Sequence, residues 1–76
     1  MKLQIITPTG IEEHTVEAVF LPGAAGAFEV LKGHAPIISA LASGDVRWRD
    51  ASGEKALPVC GGMVMVERDV IKICAE

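Results

Sequence analysis

Residues 21–36 read Leu21-Pro22-Gly23-Ala24-Ala25-Gly26-Ala27-Phe28-Glu29-Val30-Leu31-Lys32-Gly33-His34-Ala35-Pro36, and the organisation of the chain follows from them. Pro22 fixes its own φ, so we expect Gly23 to take the positive φ of a type II turn. Apolar and polar side chains alternate over residues 28–30, which predicts a short strand that Gly33 ends. Two turns around a short strand predict a stiff, almost uncharged protrusion. We interpret this protrusion as a docking surface.

The residues predicted to bind a partner are small, apolar or turn-forming. His34 is expected on a bent loop, because Ala35 precedes Pro36 and is pushed toward an extended conformation. A lone loop histidine usually has a structural role, with a ring nitrogen bonded to a neighbouring carbonyl group, and that role is compatible with a position at an interface. The predicted partner-binding residues are Gly23, Ala24, Ala25, Gly26, Ala27, Phe28, Leu31, Gly33, His34, Ala35 and Pro36.

Composition points to a single small domain that carries surplus apolar surface. The chain has 76 residues, which we assign to one domain, residues 1–76, and half of them are hydrophobic. A domain of this size buries only about 60% of the surface that its unfolded chain exposes. The surplus of apolar side chains therefore indicates a face that meets a partner. A net charge of −3 without a basic run argues against nucleic acid as that partner.

Neither a membrane span nor a disulfide framework is indicated. The longest apolar stretch, residues 57–66, is interrupted by Pro58 and two glycines, and it is shorter than the ~20 residues that span a bilayer. The two cysteines, Cys60 and Cys74, are too few for a framework. We expect both to be reduced, buried thiols on the strands of a cytosolic protein.

Turn signals recur every eight to twelve residues, and this spacing is typical of a β-sandwich or barrel. Between the turns the apolar side chains repeat every second residue, and no stretch has the period of a helix. One face is predicted to carry Val16, Ala18 and Phe20. The next clear strand, residues 46–49, has Val46 and Trp48 on one face and arginines on the other. The prediction is an all-β fold, a flattened sandwich or barrel of roughly ten short strands.

Three further elements complete the predicted order of strands. A hairpin loop at residues 50–53 joins strand 46–49 to strand 54–59, and Pro58 places the second strand at a sheet edge or bulge. Residues 37–41 are predicted as a strand, although their apolar pattern also fits a helical turn. Residues 63–66 alternate Met and Val, so both faces of that strand are apolar. Such a strand is either central in a sandwich or covered by a partner.

No arrangement of residues indicates catalysis, a metal or a cofactor. Cys60 with either histidine lacks a third orienting group and an oxyanion motif. The spacings of the histidines and cysteines match no zinc pattern. Glu12 and Glu13 are adjacent, so on a strand they point to opposite faces and cannot act as a pair. Residues 23–26 form a GxxG sequence without the Gly-Lys-Ser/Thr of a phosphate loop, and we interpret them as a turn of small residues.

The pattern L-P-G-x-x-G-x-F-x-V-L-x-G-H-A-P-I over residues 21–37 resembles the N-terminal β-sandwich domain of the epsilon subunit of rotary proton-translocating ATP synthases. The resemblance continues through the G-D-V-R of residues 44–47, the G-G-M-V-M-V of residues 61–66 and the V-I-K-I of residues 70–73. It departs from the family at Glu29, where glycine is frequent, at Lys32, where proline is frequent, and at Ala27, where an acidic residue is frequent. The family's two-helix C-terminal hairpin, and the restraint on ATP hydrolysis that depends on it, are expected to be lacking.

The resemblance implies a non-catalytic rotor subunit without a cofactor, whose partners are the gamma subunit and the membrane ring of c subunits. It also implies a peripheral position at the cytoplasmic face of the inner (plasma) membrane. Two alternatives stay open at this point. One is a small enzyme or ligand-binding sandwich, which needs a concave pocket with converging polar groups. The other is a generic homo-oligomeric β-sandwich module whose apolar surface is self-complementary.

Overall fold

The computed structural model describes residues 1–76, which form two β-sheets without a helix. The five-stranded sheet has the order β2-β1-β9-β8-β5, and the four-stranded sheet has the order β4-β3-β6-β7. The all-β sandwich predicted from the sequence is confirmed, with nine strands, and extents of 26 × 25 × 17 Å show that it is flattened. The strands are β1 Lys2–Thr7, β2 Gly10–Thr15, β3 Ala18–Leu21, β4 Phe28–Leu31, β5 Ile37–Leu41, β6 Gly44–Asp50, β7 Gly53–Val59, β8 Gly62–Glu67 and β9 Val70–Ala75.

The core lies between the two sheets and is made by the alternation of side chains along each strand. In β6, Val46 and Trp48 are buried while Arg47 and Arg49 are exposed, as the sequence predicts. The core contains no charged side chain. No helix in the structure has the length and apolarity needed to cross a bilayer. The hydrophobic core consists of Leu3, Ile5, Val16, Val19, Leu21, Val30, Leu41, Val46, Trp48, Val59, Val64, Val66, Ile71 and Ile73.

The prediction that Val16, Ala18 and Phe20 share one face is wrong at Val16. Ala18 and Phe20 alternate along β3 with the core residues Val19 and Leu21, so they share its outer face, whereas Val16 belongs to the core. The cause is that the extended chain is interrupted at residues 16–17, between β2 and β3. This break shifts the alternation by one residue, so Val19 and Leu21 point into the core. Phe20 consequently lies half-buried on the outer face of the four-stranded sheet.

The predicted hairpin between β6 and β7 is confirmed, and β7 with its Pro58 is an edge strand. Asp50 organises the hairpin loop. Its Oδ1 atom accepts hydrogen bonds from the Ser52 hydroxyl at 2.7 Å and the Ser52 backbone N–H at 2.8 Å, while Lys55 Nζ donates to Oδ2 at 3.2 Å. These bonds, led by the Ser52 hydroxyl, lower the pKa of the Asp50 carboxyl from 3.8 to about 2.

The segment between β3 and β4 joins the two sheets. Gly23 forms an isolated antiparallel bridge with Leu41 at the end of β5. The Ala24 N–H donates to the Ala40 carbonyl at 2.9 Å, and the Ala42 N–H donates to the Pro22 carbonyl at 2.7 Å. The predicted strand at residues 37–41 is therefore confirmed as β5, and part of its outer edge is covered by this segment.

Candidate functional site

Residues 23–26 form a tight turn, as expected, but its geometry differs from the prediction. The Gly26 N–H donates a hydrogen bond to the Gly23 carbonyl at 3.0 Å, so Gly23 begins the turn. The positive φ falls at Gly26, at 140°, and not at Gly23. The predicted positive φ at Gly23 is therefore wrong, because the bridge to Leu41 holds Gly23 at the end of an extended segment.

Gly23 is required for close packing and not for its backbone conformation. A Cβ atom at this position would lie 2.5 Å from the Gly26 carbonyl oxygen and 2.9 Å from Cε1 of Phe28. Gly23 is itself buried. Any side chain here would push the turn away from the β5 edge.

The tip of this turn is an exposed surface without charge. Ala24, Ala25, Gly26 and Ala27 are all exposed. Phe28 is half-buried and packs against the hydrophobic core. We name residues 23–28 the first patch.

The second turn follows β4. Gly33 has a positive φ of 82°, in agreement with its predicted role in ending the strand. The His34 N–H donates to the Leu31 carbonyl at 3.1 Å, and His34 Nδ1 lies 2.6 Å from the Ala35 carbonyl oxygen, to which it donates. The structural role predicted for His34 is confirmed by this ring contact. Leu31 is 47% exposed, and Ala35 and Pro36 are exposed.

An aspartate from the other sheet holds the second turn in place. The Gly33 N–H donates to Oδ1 of Asp69 at 2.8 Å. Asp69 and Arg68 connect β8 to β9, with φ values of 60° and 52°. Two positive φ values in a two-residue hairpin loop correspond to a type I′ turn, whose twist matches the flanking strands. We name Leu31 and residues 33–36 the second patch.

The structure separates the two patches that the sequence presents as one stretch. They lie at opposite ends of β4, whose four residues extend over about 10 Å at ~3.3 Å per residue. The first patch is anchored to the edge of β5, and the second is anchored to the β8–β9 hairpin. The predicted residues therefore form two separate surfaces, each attached to both sheets.

An open cleft of about 330 Å³ lies beside the first patch. The ring of Phe20 is partly covered by Arg47, whose guanidinium carbon lies 5.3 Å from the ring centroid. The sequence did not indicate this cleft, because an unbroken alternation groups Phe20 with Val16, which lies in the core. The cleft is lined by Phe20, Leu21, Pro22, Ala27, Phe28, Glu29, Asp45 and Arg47.

An apolar row crosses the outer face of the five-stranded sheet. Strand register aligns one residue from each strand in this row, from β5 to β2: Ala40, Met63, Cys74, Ile6 and Ile11. Ile11 is 63% exposed, and in the adjacent row Ile38 is 69% exposed. Strand β8 is confirmed as apolar on both faces, with its valines in the core and its methionines on this outer face.

The cysteines differ from their prediction as buried thiols. Cys60 and Cys74 are free, as expected, but both are exposed. Cys74 alternates with the buried Ile73 and faces outward, and Cys60 lies in the bend after β7. Glu12 and Glu13 have separate partners, His14 at 3.3 Å and Lys2 at 3.7 Å. No group of three or more His, Cys, Asp or Glu side chains is arranged to hold a metal ion.

Comparison with known proteins gives a match along the whole chain. The family described as "ATP synthase, Delta/Epsilon chain, beta-sandwich domain" matches residues 1–76. The chain is 35% identical over 74 residues to the ATP synthase epsilon chain of Prochloron didemni, covering 96% of this chain and 54% of that protein. It is 39% identical over 74 residues to the chloroplastic epsilon chain of Cyanidioschyzon merolae, covering 96% and 56%. The chain thus spans little more than half the length of these curated relatives.

Solved structures share the fold. The similar chain in the Euglena gracilis mitochondrial ATP synthase has a TM-score of 0.87 at 22% identity, and the match covers 96% of this chain and 48% of that one. The similar chain in the Tetrahymena thermophila mitochondrial ATP synthase central stalk and c-ring has a TM-score of 0.78 at 15% identity, covering 99% and 62%. At these identities the likeness establishes the two-sheet architecture.

Proposed function

Since this chain belongs to the β-sandwich domain family of the ATP synthase delta/epsilon chain, we propose that it is a non-catalytic subunit of an ATP synthase rotor. In this role it links the gamma subunit to the ring of c subunits, so that proton-driven rotation reaches the catalytic head. The observation that carries the proposal is the family match over residues 1–76, a range that includes all nine strands of the sandwich. The epsilon chains that are 35–39% identical support it.

The architecture suits a part that transmits torque. Of the 47 backbone hydrogen bonds, 37 lie within the strand ladders, so most of the backbone is held by its neighbours. The sheets are connected by the Gly23–Leu41 bridge and by the bond from Gly33 to Asp69. Because a densely packed core resists shear, a load applied at one patch is passed to the other sheet with little deformation.

The two patches are the proposed contact surfaces for the rotor partners. The first patch is uncharged, and its residues 23–27 are glycines and alanines, whose small side chains permit a partner backbone to approach closely. The second patch adds the exposed Leu31 and Pro36. The proposed position is peripheral, at the cytoplasmic face of the inner (plasma) membrane, through these partners and without insertion into the bilayer.

Reconstitution of the rotor tests the proposal. Purified chain is mixed with the gamma subunit and c-ring of the same organism, and complex formation is followed by size exclusion and by ATP-driven proton pumping in vesicles. We expect a stoichiometric complex and proton pumping that depends on this chain. Failure to associate with either subunit, combined with normal coupling in vesicles that lack the chain, would refute the proposal.

The apolar row keeps one alternative open, the homo-oligomeric sandwich module. Exposed Ile11 and Met63 lie on a face that a second copy is able to cover. Sedimentation of the purified chain distinguishes the two functions. A rotor subunit sediments as a monomer that shifts on addition of gamma, whereas the oligomeric module shows a dimer whose amount rises with its own concentration.

A further inference from the structure

The cleft beside the first patch holds opposite charges that do not pair with each other. Phe20 on β3 lies opposite Glu29 on β4 and opposite Arg47 on β6, so its ring stands between them. Asp45 lies two residues before Arg47 on β6 and also lines the cleft. None of the five ion pairs in the protein includes any of these three charged residues.

The electrostatics of the cleft favour a cation. Arg47 is directed over the Phe20 ring, where its guanidinium interacts with the aromatic face. The carboxylates of Glu29 and Asp45 therefore have no cationic partner in the cleft, which is also lined by aromatic rings. The residues that line the cleft carry one more negative charge than positive. The chain as a whole has a net charge of −3, which adds to the same potential.

We propose that this cleft receives a basic side chain, an arginine or lysine, from the protein that docks on the first patch. The methylene stem of such a side chain packs on Pro22 and Ala27, and its charged end lies near the carboxylates of Glu29 and Asp45. An acidic side chain would face two carboxylates, and an apolar one would bury them unpaired. Ala27 and Phe28 belong to both the cleft and the first patch, so one docking event covers both surfaces.

The identity of the partner rests on the proposed function, but the preference for a cation does not. Binding to the reconstituted rotor is measured at low and high salt for three variants. The first is the double variant Glu29→Gln/Asp45→Asn, and the second is Arg47→Gln. The control is Glu54→Gln, which removes an exposed, unpaired carboxylate from β7, on the opposite edge of the same sheet.

The direction in which each of the three variants changes binding to the rotor tests whether the cleft prefers a cation. We expect the double variant to bind roughly threefold to tenfold more weakly at low salt, the size of partly exposed ion pairs, with a smaller loss at high salt. Arg47→Gln removes a competing cation and should bind more tightly, and Glu54→Gln should bind as wild type does. Tighter binding by the double variant with weaker binding by Arg47→Gln would overturn the proposal in favour of an acidic occupant. Binding as tight as that of wild type by all three variants would exclude the cleft from the interface.

A partner-free measurement separates this inference from the proposed function. The purified chain is titrated with N-acetyl-arginine amide and with its uncharged analogue N-acetyl-citrulline amide, and the ring resonances of Phe20 and Phe28 are followed by NMR. We expect the arginine compound alone to shift both rings, and the shifts to disappear in the double variant. Absence of any shift, or equal shifts from both compounds, would refute the preference for a cation even if the rotor complex forms.

Discussion

Replacement of Gly23 by alanine tests whether close packing at the bridge between the sheets holds the first patch. The new Cβ would lie 2.5 Å from the Gly26 carbonyl oxygen, so this backbone atom must retreat by about 1 Å to reach a non-bonded separation of ~3.5 Å. Such overpacking costs about 1–3 kcal/mol. Loss of the hydrogen bond from Gly26 to Gly23 adds about 1 kcal/mol. We expect the free energy of unfolding to fall by about 2–4 kcal/mol, which lowers Tm by about 10 °C or more in a domain this small.

The assay is urea unfolding followed by the fluorescence of Trp48, which is the single tryptophan of the chain and is 4% exposed. Gly10→Ala is the matched control, because no atom lies within 4 Å of a Cβ built there. Its unfolding free energy should stay within about 0.5 kcal/mol of wild type. Gly23→Asn distinguishes the two explanations for the glycine, since asparagine tolerates a positive φ but is larger than alanine. Gly23→Ala within about 0.5 kcal/mol of wild type, or Gly23→Asn more stable than Gly23→Ala, would refute the packing argument.

Three other predictions concern the core, the first patch and the β6–β7 hairpin. Trp48→Ala should destabilise the fold by about 3–5 kcal/mol in urea unfolding followed by far-UV circular dichroism, because variants of Trp48 lack the fluorescent tryptophan. Trp48→Phe should cost clearly less, because the buried Nε1–H of Trp48 has no hydrogen-bond partner, and equal losses would contradict this. Ala25→Arg should leave Tm unchanged, since the turn tip is exposed. The variant should nevertheless co-purify less with the gamma subunit or c-ring, because burying an unpaired charge in an interface is unfavourable. Undiminished binding would place the interface on another surface, such as the apolar row. The lowered pKa of Asp50 means that its carboxylate stabilises the fold above about pH 4 and that this contribution is lost as the pH falls toward 2. The urea midpoint of Asp50→Asn should therefore fall less than that of wild type over this interval. Parallel pH profiles of the two proteins would show that the Asp50 carboxylate contributes nothing to the stability of the fold.

Where a strand keeps one unbroken alternation, its sequence was sufficient to predict its structure. Strand β6 shows this, because Val46 and Trp48 face the core and Arg47 faces solvent over seven consecutive extended residues. The error of placing Val16 on the same face as Phe20 has a local cause. The extended chain breaks at residues 16–17, and a break of this kind reverses which residues face the core without any change in the apolar pattern.

The site was predictable as a set of residues but not as an arrangement in space. Turn chemistry identified both ends of β4, yet strand direction places Gly23 and His34 at opposite ends of a four-residue strand. The anchor of the second turn, Asp69, is 36 positions away from Gly33, and no local pattern connects them. The conformation of Gly23 depends on its bridge to Leu41, which is likewise a tertiary contact.

The parallel pairing of β1 with β9, in which Lys2 lies opposite Val70, has a consequence for biosynthesis. On the ribosome, the hairpin of β1 and β2 emerges early, but the central neighbour of β1 is synthesised after every other strand. The edge of β1 therefore stays unpaired until translation of the domain is almost finished, and the five-stranded sheet assembles in a late step. Contacts between residues so far apart in sequence close slowly, on the millisecond-to-second scale typical of all-β domains. Nascent chains that stall before β9 would expose Leu3 and Ile5, two side chains that are fully buried in the native protein, and would be substrates for chaperones.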